Sequence, residues 1–526
     1  MFRLIYYFPW PPILLIALLL GNCSPTAATS SNPSLSQTTI PLTTSTRSTT
    51  AQAPVAVTVV PALPVDVNPL TGLPVQDPSL LQIPAVLLSI SHFPVEARPQ
   101  AGLSFAPYVF EIYITEGATR FLATFYGQFP APEAPVTGNC AVRGTPFTQT
   151  NLILGNRVWN DSNLNSTYDA WENGIGGVCV NLYDLNGTLL QQTTTDSNGY
   201  YGFNIEAGNY IVEFLKPPGM EFVNKDAWED ARDSDVDPGS GRTDALSVDS
   251  SILHVDAGLI PVVGPAAGAA LPPAYVGPVR SGRLVYRHIA AFFPDSCLIY
   301  AGASPEVLIH LPQCAFVEHI IDGGGYMLEI DRMVQLAKDR KPPDQSINYT
   351  SNVYSADAPA DGAEVSKLHV YIAWLNQSAW IYDPLSQSWW RYVDDADLGI
   401  AGVVHPDVDR LTGRQLHFEN VIVLFAHHEV ISPTNLEIRM EQDWLGDALL
   451  FRDGKKYNIR WSTVATDEEF QTGRRKPIRF LYRDDKTPFP LKPGHTWIIV
   501  VTSETTVAEQ SAGEWLLTFF QPPGAK

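Results

Sequence analysis

Two abrupt breaks in composition constrain this chain more than any other feature. One falls at 129–150 and contains Pro130-Ala131-Pro132-Glu133-Ala134-Pro135; the other, at 261–275, is rich in Pro, Ala and Gly. Such segments punctuate regular structure, so the stretch between them must fold by itself and the flanks must close around it. Charge marks the same boundary. Between 152 and 262 five basic residues face seventeen acidic ones, so −12 of the chain's net −21 sits in about a fifth of its length. The 526 residues suffice for three or four domains, and 45 % hydrophobic content supplies several cores, which excludes wholesale disorder. With 43 Pro, 11 % aromatic and only 17 % charged residues, the composition favours β-rich domains over helical bundles. The acidic balance repels phosphate backbones, so nucleic acid is not an expected partner.

Within 150–262 the runs Arg157-Val158-Trp159, Val178 to Tyr183, Tyr200 to Phe203 and Tyr210 to Phe214 are short, alternating and separated by Gly-containing turns, which predicts a small β-sandwich. Its acidic residues need cations, and Asp161 to Glu172 supplies a place for one. Asp161, Asn163, Asn165, Asp169 and Glu172 fall at positions 1, 3, 5, 9 and 12 of a calcium loop, and Thr167 offers its carbonyl at position 7. Ser166 stands where such loops carry Gly. A second run, Asp233, Asp235 and Asp237, places carboxylates on alternate residues and is expected to serve that site or another. Ca²⁺ is the expected cofactor; the alternative for each run is a solvated acidic turn.

Gly155 to Asp161, Glu172 to Val178, Thr195 to Phe203, Pro217-Pro218-Gly219, Asp233-Ser234-Asp235 and Val255 to Leu259 together resemble the B-like repeat of Gram-positive SD-repeat adhesins, related to the collagen-adhesin B-type fold. The resemblance implies a calcium-stiffened spacer or adhesive module. The flanks resemble another family. Asn68 to Pro74, Ala97 to Leu103, Val109-Phe110-Glu111, Glu116 to Ala123, Gly277 to Arg283, Tyr300 to Glu306, Asn420 to Val423, Asp453-Gly454-Lys455, Arg460-Trp461 and Pro493 to Ile498 resemble the YerB-like lipoproteins, whose domains are of unknown function. This chain has Ser89-Ile90-Ser91 where those relatives tend to carry an Asp-Asn pair. The expected architecture is multidomain: an α+β host domain (66–128 plus 275–345), interrupted by the β-sandwich insert (150–262), followed by a mainly β C-terminal domain (355–505) and a peripheral tail (506–526).

At the amino terminus Arg3 precedes an apolar stretch ending in Ile13 to Leu20, too short and too Pro-broken for a comfortable membrane span. Residues 1–23 read as an export signal whose end, Leu20-Gly21-Asn22-Cys23, resembles a bacterial lipobox with Asn22 in the usual small-residue position. An atypical lipobox with acylated Cys23 and an uncleaved anchor are the two alternatives, and both place the protein outside the cytoplasm. Residues 24–65 are Ser, Thr, Pro and Ala with almost no charge, a flexible tether. Of the remaining cysteines, Cys297 and Cys314 share one apolar segment and are the expected disulfide; Cys140 and Cys179 receive no assigned pairing.

The family-like strings of the host carry Glu111, Glu116, Arg120, Arg280 and Arg283, a set able to form a cleft for an anionic or glycan ligand if the fold brings them together. The alternative is buried structural ion pairs. Trp374, Trp380, Trp389, Trp390 and Tyr392 are expected to be mainly core, and the adjacent His427 and His428 to point to opposite faces of a strand, which opposes a shared metal site. Sequence alone points to an exported, lipid-anchored surface protein that binds an envelope or extracellular component, glycan or protein. The competing class is a cell-envelope enzyme acting on peptidoglycan or another glycan. Mass spectrometry of the mature amino terminus is expected to find Cys23 as an acylated first residue; cleavage elsewhere, or an unmodified Cys23, removes the lipid anchor.

Overall fold

Val86–Ser91 (β1), Tyr108–Thr115 (β2) and Ala118–Phe125 (β3) are buried along nearly their whole length. Strands covered on both faces read as apolar runs with little alternation, as Val86-Leu87-Leu88 does. The computed structural model describes residues 63–132, 151–261, 274–312, 314–316, 326–342, 346–396 and 399–526; the export signal with Cys23, nearly all of the tether, and Cys140 lie outside them. Strand makes up 43 % and helix 9 %, a largely β multidomain chain as expected, and among the described residues its α-helices all lie in the host parts. Helix Ile330–Asp339 is the longest α-helix among the described residues. It buries Ile330, Met333, Leu336 and Ala337 on one stripe, with Asp331 in its first turn and Lys338 in its last.

The host is built on one 13-stranded sheet. β1 pairs antiparallel with β3 and parallel with Cys297–Tyr300. β2 pairs with β3 on one side and, on the other, parallel with Thr496–Thr502, in register from Tyr108↔Thr496 to Ile112↔Val500. Thr496–Thr502 in turn pairs with Asn420–Ala426, followed by Leu445–Arg452 and Lys455–Ser462. The stretches read as separate N-terminal and C-terminal domains therefore share a sheet, joined through β2 and a strand nearly 400 residues further along the chain.

A seven-stranded sheet packs on one face of this framework, with Lys367–Ala373 alternating so that Leu368, Val370 and Ile372 point inward. Trp380 and Trp389 are fully buried between the sheets and Trp390 nearly so, whereas Trp374 is exposed. Residues 506–526 are not a peripheral tail. Thr506–Ser511 and Glu514–Thr518 form a hairpin in the seven-stranded sheet, because Glu514–Thr518 finds a free parallel edge on Lys367–Ala373 and buries Leu517. Tyr286, Tyr300, Trp461 and Ile498 belong to a second core on the opposite face. Cys297 and Cys314 form the expected disulfide, with Cα atoms 5.1 Å apart. Cys179 is also disulfide-bonded.

The insert is the expected sandwich of two four-stranded sheets. Leu152–Asn160 (β4) pairs with Tyr200–Ile205 and Ala257–Pro261, and Leu154, Val158, Val180, Tyr201, Phe203, Val212 and Leu259 fill the space between the sheets.

One buried charge cluster ties the two host sheets together. Arg391, fully buried, pairs with Asp407, reaches Glu111 at 3.8 Å and lies over the Trp497 ring at 4.6 Å. Glu111 also accepts from Thr119 Oγ1 at 2.9 Å and Trp497 Nε1 at 3.0 Å. Removing one member of a buried pair strands its partner. Arg391→Met is expected to destabilise the protein by about 3–5 kcal/mol in urea unfolding; a loss below about 1 kcal/mol would show that this cluster does not hold the sheets.

Candidate functional site

The first acidic loop begins where β4 ends. Asp161 N donates to Leu259 O at 2.9 Å, which anchors the loop to the neighbouring strand. Ser166 adopts φ +62°, the left-handed conformation that position 6 of a calcium loop requires, although it is not glycine. Asp161 and Glu172, at positions 1 and 12, are 1 % and 2 % exposed. Their oxygens accept only from the loop's own backbone: Asp161 from Asn165 N at 3.1 Å and Ser166 N at 2.8 Å, Glu172 from Ser162 N at 2.8 Å and Asp169 N at 3.1 Å. Asn163 and Asn165 both donate to Asp169 Oδ2, at 2.9 and 3.1 Å, so half a turn of either amide brings an oxygen to the same point. Burial, with repulsion from Asp161 and Asp169, pushes the Glu172 carboxyl up to about 7. Among the described residues no three His, Cys, Asp or Glu side chains stand close enough to form a metal site by themselves. The two Asn amides and the Thr167 carbonyl complete an oxygen-only donor set, the chemistry that fits a hard cation such as Ca²⁺.

Arg157 on β4 holds this loop in place. Its Nη2 donates to Glu172 O at 3.0 Å and its guanidinium lies 4.5 Å from the Tyr168 ring. Arg232 links the loop to the second acidic run: Tyr168 N donates to Arg232 O at 2.6 Å and Arg232 Nη2 to Asp169 Oδ1 at 2.8 Å. Within that run Asp233 is buried and accepts from Trp228 N at 2.9 Å. Asp235 is driven up to about 7 by burial and by Asp230, Asp233 and Asp226. Asp237 does not join them. It is exposed and closes a turn on Ser240 N and Oγ, both at 2.8 Å, because Pro238-Gly239 redirects the chain after it. Sequence reading missed Asp226, Asp230, Arg157 and Arg232; the acidic spacing 226, 230, 233, 235 was the available signal for the first two.

The five host residues do not form one cleft. Glu111 pairs with Phe121 across the β2–β3 hairpin and Arg120 with Ile112, so Glu111 and Arg120 point to opposite faces of the sheet. Glu116 sits exposed in the tight turn between these strands, with φ +51°. Neither carboxylate can flank a substrate bound by the other, which removes the geometry a glycosidase pair requires. Arg120, Arg280 and Arg283 do come together, on the face away from Glu111. His427 is exposed in the one-residue link between the strands Asn420–Ala426 and His428–Ser432, and His428, the first residue of the second strand, is buried against Ala426 O. A cavity of about 400 Å³ is lined by His427, Trp444, Asp447, Arg460 and Trp461, and its charges satisfy each other through the 2.9 Å Arg460–Asp447 pair.

The insert also meets the host. Asn198 Nδ2 donates to Gln415 O at 3.3 Å, and a cavity of about 200 Å³ lies between Arg157, Tyr168 and Tyr200 of the insert and Leu385, Ser386 and Gln387 of the host. At this seam burial raises the Asp196 carboxyl to about 7, with Asp383 of the host adding repulsion.

These features define a β-rich host carrying an oxygen-lined β-sandwich, and each part is similar to known proteins. Family models match three stretches: the protein of unknown function (DUF3048) N-terminal domain over 70–139, the SdrD B-like domain over 152–259, and the DUF3048 C-terminal domain over 369–498. The insert is 48 % identical over 86 residues to a fibrinogen-binding protein of Staphylococcus epidermidis, a match covering 16 % of this chain and 8 % of that one. It is 49 % identical over 78 residues to serine-aspartate repeat-containing protein I of Staphylococcus saprophyticus, covering 14 % and 4 %. The chain thus spans less than a tenth of the length of these relatives. Among solved structures the YerB protein of Bacillus subtilis aligns over 83 % of this chain and 96 % of its own, at 16 % identity and a TM-score of 0.44. No helix among the described residues is long and apolar enough to cross a membrane.

Asp196 gives this seam a pH signature. Between about pH 4 and pH 7 the folded chain keeps a proton that the unfolded chain has released, so this group makes stability fall as pH rises through that window. Asn198 N and Tyr200 N both donate to Asp196 Oδ1, an acceptor that Asn retains. Asp196→Asn is therefore expected to flatten the melting temperature against pH between 4 and 7 and to raise it at pH 8; an unchanged slope would show that Asp196 ionises freely.

Proposed function

We propose that this protein is an exported, lipid-anchored component of the bacterial cell surface with a binding or architectural role, in which the B-like insert is stiffened by Ca²⁺. The similarity of the insert to B-like domains of staphylococcal surface adhesins supports the surface role. One observation carries the calcium reading: Asp161 and Glu172 are almost fully buried, and neither forms an ion pair with a Lys or Arg among the described residues. Leaving such carboxylates ionised is costly, and a divalent ion converts their repulsion into coordination at about 2.3–2.6 Å. Asp161, Asn163, Asn165, Thr167, Asp169 and Glu172 hold the ion, and Asp233 and Asp235, with Asp226 and Asp230, form a second acidic group beside them. Arg232 keeps the two groups in register, so cation binding stiffens one end of the sandwich as a unit. The partner is an envelope or extracellular glycan or protein, and the tether and acylated Cys23 keep the module near the membrane.

Calorimetry of the full chain tests this. Calcium at a hundredfold excess over its dissociation constant is expected to stabilise the insert by about 2.7 kcal/mol. Chelator should reverse the shift, and Asp161→Asn with Glu172→Gln should abolish it. A melting profile indifferent to chelator would reduce both runs to acidic turns.

A further inference from the structure

Arg120, Arg280 and Arg283 gather where β1 and β3 meet the segment that resumes the host after the insert. Arg120 is the direct cross-strand partner of Ser91, and Arg280 N donates to Ser89 O at 2.9 Å, which lays residues 280–283 beside the end of β1. Gly282 lets that segment sit close. A Cβ there would stand 2.4 Å from Leu311 Cδ1, and Gly282 N donates to Gly302 O at 2.8 Å. The backbone thus fixes Arg280 and Arg283 on either side of Ser281, whose carbonyl and hydroxyl accept from Arg120 Nη1 at 3.2 and 2.7 Å. Arg280 Nε donates to Ser91 Oγ at 3.2 Å.

These guanidiniums lack counter-charges. Among the described residues no Asp or Glu forms an ion pair with any of them, and the Nε atoms of Arg120 and Arg283 are buried without a hydrogen-bond partner. Arg120 and Arg280 are only 6 % and 8 % exposed. Burial, with repulsion from Arg283 and Arg280, pulls Arg120 down to about 9. Among the described residues the polar side chains hydrogen-bonded to them are neutral, Ser281 and Ser91, with Ser89 and Tyr286 hydrogen-bonded to each other at 3.2 Å alongside. An uncompensated buried cationic cluster is costly, and an anion from elsewhere offsets that cost. Carboxylate and phosphoryl ligands both suit guanidinium forks, but a carboxylate offers two oxygens and one charge to three forks, whereas a phosphoryl group offers up to three oxygens.

We propose that Arg120, Arg280 and Arg283 form a binding site for a phosphoryl group, presented end-on by a phosphate ester. Ser281 and Arg283, the part-exposed members, form its mouth. The protein's net charge of −21 opposes anions at long range, so binding depends on these local guanidiniums and weakens as salt screens them.

The test uses the full chain with chelator present throughout, so that calcium in the insert contributes nothing. Inorganic phosphate and glycerol 3-phosphate, titrated at constant ionic strength, are expected to bind saturably and raise the melting temperature where chloride does not. Arg283→Gln, at a part-exposed position that leaves the core intact, should weaken both at least tenfold, and Arg280→Gln should do likewise. Sedimentation with anionic phospholipid vesicles separates the sources: wild-type cosedimentation that Arg283→Gln loses assigns a lipid headgroup, and saturable glycerol 3-phosphate binding without cosedimentation assigns a soluble or polymer-borne ester. Phosphate acting no differently from chloride, or unchanged affinity in both variants, overturns the proposal.

Discussion

The parallel pairing of β2 with Thr496–Thr502 is the interaction on which the rest of the structure depends. It joins strands from near the two ends of the described chain into one sheet, so the intervening polypeptide must leave and return without disturbing that register. A parallel pair needs a long connection in any case. The chain uses the freedom of the β3 to Tyr275 crossing to carry a complete second domain. Both faces of the pair are covered, by the seven-stranded sheet with Trp380 and Trp389 on one side and by the core of Tyr286 and Trp461 on the other.

Buried charge is handled in three ways around this frame. At the sheet-to-sheet contact it is neutralised internally, with Arg391 between Glu111 and Asp407 under a Trp497 lid. In the insert, carboxylates are gathered in excess and held by backbone amides, with Arg157 and Arg232 fixing the loops rather than neutralising Asp161 or Glu172. Beside β1, guanidiniums are gathered in excess and held by serine oxygens. The first arrangement is self-sufficient and structural. The other two gather like charge without an internal counter-ion among the described residues, which is what the proposed cation and anion sites rest on, and they lie on different domains.

Much of this was legible in the residues. The composition breaks located the insert, the alternation of its runs gave a sandwich, and the oxygen spacing from Asp161 to Glu172 singled out the loop that proves to be folded around buried carboxylates. The left-handed turn at Ser166 was not legible, because its usual mark is a glycine; surrounding hydrogen bonds from Ser166 N and Asn165 N to Asp161 impose it instead. Asp237 shared the alternate spacing of Asp233 and Asp235, yet spacing in a loop fixes no direction, and Pro238-Gly239 turned it to solvent.

Sequence by itself determined the local facts: which runs form strands, where the chain breaks, which loop is rich in oxygen, and that Cys297 and Cys314 lie near enough along the chain to pair. These follow from the period of side-chain alternation and from short-range covalent reach. Tertiary structure alone decided which distant strands share a sheet and which face each residue takes. Glu111 and Arg120 were grouped by motif, but the two-residue period of the β2–β3 pair put them on opposite faces, sending Glu111 to Arg391 and leaving Arg120 with Arg280 and Arg283. Such separations are set by long-range register, which the pattern of any one segment does not contain.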